Sequence, residues 1–139
     1  MKRVLPLILT LLGLCFEAHA QKGLAIQLAF DELAVRQNAT EVVMGAGRLK
    51  KYRLSLFHSL EIKNPSASDR TRIEALIQTD AAGAIRHEEN GSHRLYELPH
   101  SGSTHHYIFY RTGSQSLTLI YIEGKASLEQ IKSQFLKKQ

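Results

Sequence analysis

Leu-Thr-Leu-Ile-Tyr-Ile-Glu, Leu117 to Glu123, is the stretch that decides the fold. Its β-branched, leucine and aromatic residues suit a strand, and from Leu117 to Ile122 the run is apolar on both faces, as in a central strand. Two further strand candidates precede it, Tyr107 to Arg111 and Arg94 to Leu98. The links between them, Thr112 to Gln115 and Pro99 to Thr104, are short and rich in Gly and Ser. Links this short make antiparallel hairpins, so the three strands read as a meander. Gly124 then lets the chain turn out of the sheet. Ser127-x-x-Gln130 is a capping box for a last helix with Leu128, Ile131 and Phe135 on one stripe.

Upstream, Thr40 to Met44 is a short β-rich run closed by Gly45-Ala46-Gly47. The next segment reads as a helical turn up to about Leu56, followed by a strand from Ser59 to Lys63 with Leu60 and Ile62 inward. Ile26, Ala29, Phe30 and Leu33 fall at i, i+3, i+4 and i+7, which predicts an amphipathic helix from Gly23 to Arg36. Ser66-x-x-Asp69 and Thr71-x-x-Glu74 are helix starts, and Ile73, Leu76, Ile77 and Ala81 carry that helix to near Gly83. Residues 86–93 are polar, with a turn signal at Asn90-Gly91. The expectation is therefore an α+β domain: a single mostly antiparallel sheet of about five strands, with the helices packed on one face.

The first twenty residues read as an export signal. Lys2 and Arg3 form a positive front, Leu5 to Phe16 is apolar, and Ala18-His19-Ala20 offers small residues before a cut at Gln21. The apolar run is shorter than the ~20 residues a membrane span needs, and Glu17 and His19 interrupt it. Leu12-Gly13-Leu14-Cys15 is an alternative lipoprotein signal, but Leu14 is bulky where a small residue is wanted. The expected organisation is thus a signal peptide over residues 1–20 and a single domain over residues 21–139, located in the periplasm or secreted.

The only cysteine is Cys15, inside this leader. The exported domain then has no disulfide, thiolate nucleophile or thiolate metal site, and it rests on packing alone. Loss of Lys2, Arg3 and Glu17 takes the formal net charge from +5 to +4. Export argues against nucleic acid as a partner. An envelope protein or an anionic surface component, such as a phosphorylated glycolipid, fits the mildly basic balance better.

Of seven histidines, five fall between His87 and His106. Imidazole is a common transition-metal ligand, so His93, His100, His105 and His106 are candidate ligands. The spacing forms no His-Glu-x-x-His, and adjacent His105 and His106 should point to opposite strand faces. If Arg94 to Leu98 pairs with Tyr107 to Arg111, His100 and His105 share one loop. A solvated polar hairpin is the simpler reading, because a site needs three or four converging ligands. Arg48, Lys50, Lys51 and Arg53 surround Tyr52 and could contact an anionic surface, or else form a solvated face. The carboxylates Asp69, Glu74, Asp80, Glu88 and Glu89 form no acid–base pair by spacing. Ser101-Gly102-Ser103 and Gly113-Ser114 read as turns rather than as a Gly-x-Ser-x-Gly nucleophile setting. No catalytic residue and no cofactor is assigned.

Thr40-Glu41-Val42, Leu49-Lys50 and Ser59-Leu60-Glu61-Ile62, with Leu117 to Gly124 running into Ser127-Leu-Glu-Gln-Ile131, form a further pattern. It resembles the small exported proteins of unknown function common in Bacteroidetes, whose leaders often end in Ala before Gln, as Ala20-Gln21 does. The resemblance implies an α+β fold and a bacterial envelope location, and it transfers no functional residue. The leading expectation is an exported non-enzymatic interaction or accessory module. The alternatives are a small-ligand or metal-binding protein using the His-rich hairpin, and a hydrolase whose site carries no recognised motif.

Overall fold

The computed structural model describes residues 23–136. Residues 1–20, expected to be an export signal, with Cys15 among them, and the Lys137-Lys138 pair lie outside the described residues, as does the side chain of Phe135. Six strands form one sheet: β1 (Ala39–Gly45), β2 (Leu54–Lys63), β3 (Arg86–Asn90), β4 (His93–Ser101), β5 (Thr104–Thr112) and β6 (Ser116–Gly124). Their spatial order is β1-β2-β6-β5-β4-β3, and every neighbouring pair is antiparallel. β3 to β6 form the expected meander, lengthened by one strand.

The extra strand is β3. Its sequence, Arg-His-Glu-Glu-Asn, has no apolar alternation, and its residues are mostly exposed. As an edge strand it gains its place from backbone pairing with β4 and from the Asn90-Gly91 turn, not from a buried face. β2 also begins at Leu54, ahead of the expected Ser59. The ambiguous stretch before it resolves into one turn of helix, α2 (Ala46–Leu49), and a tighter 3-10 turn at Lys50–Tyr52. Arg53, in the left-handed region at φ 61°, then redirects the chain into β2.

Two longer helices cover one sheet face. α1 (Ile26–Leu33) buries its predicted stripe of Ile26, Ala29, Phe30 and Leu33. α3 (Ala67–Ala81) buries Ile73, Leu76 and Ile77, and its start carries the full Ser66–Asp69 capping box. α3 also explains the topology. It carries the chain from β2 to the opposite edge at β3, four strand spacings or ~19 Å, and fifteen helical residues span ~22 Å. The core beneath α1 and α3 includes Leu60, Ile62, Tyr96, Ile108, Tyr110, Leu117, Leu119 and Tyr121.

The opposite face has its own core. Leu95, Tyr107, Phe109 and Ile122 pack there against Leu49 from α2 and against Leu128 and Ile131 from α4 (Leu128–Ile131). The helices therefore do not all lie on one face as expected. The reason is legible in the strands: β5 and β6 are apolar on both faces, so the second face also needs a cover, which the two short helices provide.

Candidate functional site

The β4–β5 hairpin carries the polar chemistry of this domain, and a β-bulge organises it. Leu98 pairs with His106 and Ser101 with Thr104, so Pro99 and His100 together oppose the single residue His105. Such a two-for-one bulge breaks the side-chain alternation of a strand. Proline suits it, because a bulged residue needs no ladder N–H. In regular alternation from Glu97, His100 would face away from Glu97 and Ser101 towards it. The bulge reverses both, bringing His100 to Glu97's side and Ser101 to the side of His106.

On the α4 side, Glu97, His100 and His105 converge. The Nε2–H of His100 donates to Glu97 Oε2 at 2.8 Å, and the Nδ1–H of His105 donates to the same oxygen at 3.2 Å. The two imidazole centroids are 4.1 Å apart, edge to face. One donor atom from each of the three residues lies within 4.8 Å of the others. The second Glu97 oxygen, Oε1, faces Arg86 Nε at 3.7 Å. Glu97 is buried, His105 half-buried and His100 exposed, so the cluster opens to solvent at His100. Burial alone would raise the Glu97 carboxyl pKa. Hydrogen bonds from His100 and His105, with the nearby charges of His100 and Arg86, outweigh it and hold the group below the usual carboxylate value. His105 stacks on Tyr107, whose hydroxyl donates to the Ala126 carbonyl at 3.0 Å. Burial first, and then the Glu97 charge, push the Tyr107 phenol up to about 12.

On the α1 and α3 side, His106 joins a different network. Tyr121 donates its hydroxyl proton to Glu123 Oε2 at 2.7 Å, and His106 Nδ1 lies 2.9 Å from the same tyrosine oxygen. His106 Nε2 faces Ser101 Oγ at 3.1 Å. The expectation that His105 and His106 point to opposite faces describes this arrangement. His93 stands at the far end of β4, paired with Arg111, so it joins neither group. Its Nε2 is the one buried side-chain N or O atom without a hydrogen-bond partner among the described residues.

The remaining candidates have structural roles or face solvent. Asp80 accepts the backbone N–H groups of Ala25 and Ile26 at 2.7 and 2.8 Å, capping α1 from a neighbouring helix. Asp69 completes its capping box and binds Arg36 at 2.7 Å. Glu74 accepts the Tyr110 hydroxyl at 2.9 Å. Glu88 meets Lys132 Nζ at 2.5 Å, and Glu89 meets His87 at 3.1 Å. Arg48, Lys50, Lys51 and Arg53 are all exposed on the connection from β1 to β2, where Lys51 sits over the Tyr52 ring. Sequence reasoning missed Glu97, because a lone Glu inside an apolar strand has no motif. The available signal was a charge within an otherwise buried alternation, Leu95 to Leu98.

A family model described as a family of unknown function, DUF6108, matches residues 13–135. The chain belongs to the DUF6108 family. No curated protein and no solved structure matches it. Family membership thus agrees with the resemblance to proteins of unknown function, and it assigns no role to the hairpin of this DUF6108 protein. No helix among the described residues is long and apolar enough to cross a membrane.

Proposed function

We propose that this DUF6108 protein acts outside the cytoplasm as a binder of a divalent transition-metal ion. Its ligands are Glu97 Oε2, His100 Nε2 and His105 Nδ1. The convergence of these three atoms carries the reading. An ion with ligand bonds of ~2.1 Å in tetrahedral geometry places its donor atoms ~3.4 Å apart; the two Glu97–histidine separations are 2.8 and 3.2 Å, and all three donors lie within 4.8 Å of one another. Two imidazoles and one carboxylate form a nitrogen–oxygen set suited to zinc, nickel, copper or iron. Arg86 holds the other Glu97 oxygen, which keeps Oε2 turned towards the histidines. Binding would move the ring proton of each histidine to its other nitrogen, and the ion would compete with a second proton for each ring, so affinity should fall with acidity. The exported location rests on the Lys2 to Ala20 pattern.

Calorimetric titration of chelator-stripped protein with zinc tests the reading. One equivalent should bind, and Glu97→Gln or His105→Asn should abolish it. No binding by the wild type, or equal binding by the variants, would overturn the assignment.

One observation favours the accessory-module reading. β1 is an edge strand with Val42 and Val43 exposed, the latter at 57 %, and an apolar open edge is a template for a partner strand. Crosslinking from position 43 in intact cells should capture one envelope protein; recovery of uncrosslinked monomer alone would dismiss it.

A further inference from the structure

The second face of the bulge carries an independent chemical arrangement. We infer that Ser101 is an activated nucleophile that accepts acyl groups from small carboxylic esters. The argument begins with the proton count. The Tyr121 hydroxyl has one proton, and it is committed to Glu123 Oε2 at 2.7 Å. The tyrosine oxygen can therefore only accept from His106 Nδ1, 2.9 Å away. That fixes the proton on Nδ1 and leaves Nε2 with a free lone pair. This lone pair faces the Ser101 hydroxyl at 3.1 Å. Glu123 Oε2 also lies 3.7 Å from His106 Nδ1, so the carboxylate stands behind the imidazole directly as well as through the phenol.

The order is nucleophile, base, orienting group and carboxylate, the logic by which a serine is activated irrespective of chain order. Burial separates the parts in the right sense. Tyr121 is fully buried, and His106 and Glu123 are 7 % and 6 % exposed, so the orienting groups are held away from water. Ser101 is exposed at the start of a two-residue turn, Gly102-Ser103, made possible by Gly102 at φ 63°. An unhindered ester can therefore reach Oγ, and solvent meets the developing oxyanion. The serine reaches His106 only because the bulge at Pro99-His100 reverses its facing.

The step balances without a further reagent. Ser101 Oγ bonds to the ester carbonyl carbon while its proton passes to His106 Nε2. The carbon–alkoxide bond then breaks, and the same proton leaves with the alcohol, giving acyl-Ser101.

Ser103 lies two residues away on the same exposed turn and serves as the internal reference. Chelator-stripped protein treated with p-nitrophenyl acetate should be acetylated at Ser101 about 100-fold faster than at Ser103, as followed by peptide mass spectrometry. His106→Phe should reduce Ser101 to the Ser103 rate. Equal rates at the two serines of the wild-type protein would overturn the inference without any variant. An unchanged Ser101 rate in folded His106→Phe would overturn it too. Removing the metal leaves this test intact, so its failure and that of the metal reading are distinguishable.

Discussion

Gly124→Ala should destabilise the domain substantially, although the backbone there is one that alanine can adopt. A Cβ at this position would stand 2.6 Å from the Arg53 carbonyl oxygen, 2.6 Å from Leu54 Cα and 2.9 Å from Leu54 Cδ2. Two of those atoms are backbone, so no side-chain rotation relieves the clash. The Arg53 carbonyl also accepts the N–H groups of Lys125 and Ala126 at 2.8 and 3.1 Å. Pushing it away weakens both bonds, worth ~1 kcal/mol each. Overpacking adds ~2 kcal/mol, and the lower unfolded-state entropy of alanine returns ~0.7 kcal/mol. The net loss is ~3 kcal/mol, which for a domain of this size lowers Tm by ~12 °C. Urea denaturation read by circular dichroism measures it, with Gly47→Ala as the reference. Gly47 lies within α2, where an added Cβ meets nothing within 4 Å, so its replacement should stabilise by ~0.5 kcal/mol. Gly124→Ala at wild-type stability would refute the reasoning that the β2–β6 end is closed by backbone contact.

Zinc at a hundredfold excess over its Kd should stabilise the wild type by ~2.7 kcal/mol, a Tm rise of ~10 °C that Glu97→Gln loses; differential scanning calorimetry reads both. Deleting Pro99 removes the bulge but leaves His100 two places after Glu97 on a regular strand, and so on the same face; the zinc-induced rise should therefore survive, with far-UV circular dichroism that of the native sheet. Asp69, like Glu97, is a carboxylate whose titration should show in stability. Burial alone would raise it, but the hydrogen bond from Arg36, the backbone and side-chain bonds of Ser66 and the Arg36 charge outweigh this and lower it from 3.8. A depressed folded-state pKa adds stability that is present above the unfolded value and lost as pH falls through the folded one. Asp69→Asn should therefore cost ~1 kcal/mol at neutral pH, since half-exposed Arg36 is screened, and the gap in urea midpoint from wild type should narrow as pH falls below the ordinary carboxylate value of 3.8.

Much of the scaffold was legible because it follows local rules. The stripe of Ile26, Ala29, Phe30 and Leu33, both capping boxes and the double-faced run from Leu117 to Ile122 all announced their elements. β3 was not legible, since an edge strand of Arg-His-Glu-Glu-Asn is specified by its neighbour's backbone rather than by its own periodicity. The two-sided covering followed from the apolar character of β5 and β6, but α2 and α4 are too short to show which face they meet. Within the site, the shared location of His100 and His105 could be read from the hairpin. The bulge could not be, because Pro99 also suits a plain loop, and without it neither Glu97's meeting with His100 nor Ser101's with His106 follows. Gly124 announced a turn; the close approach of Arg53 and Leu54 is a tertiary fact.

Anomalous X-ray diffraction at the zinc edge, from crystals of protein loaded with one equivalent, tests the metal centre most directly. The account predicts a single strong peak bonded to Glu97 Oε2, His100 Nε2 and His105 Nδ1. A peak elsewhere, with those three atoms still hydrogen-bonded to one another, would contradict it.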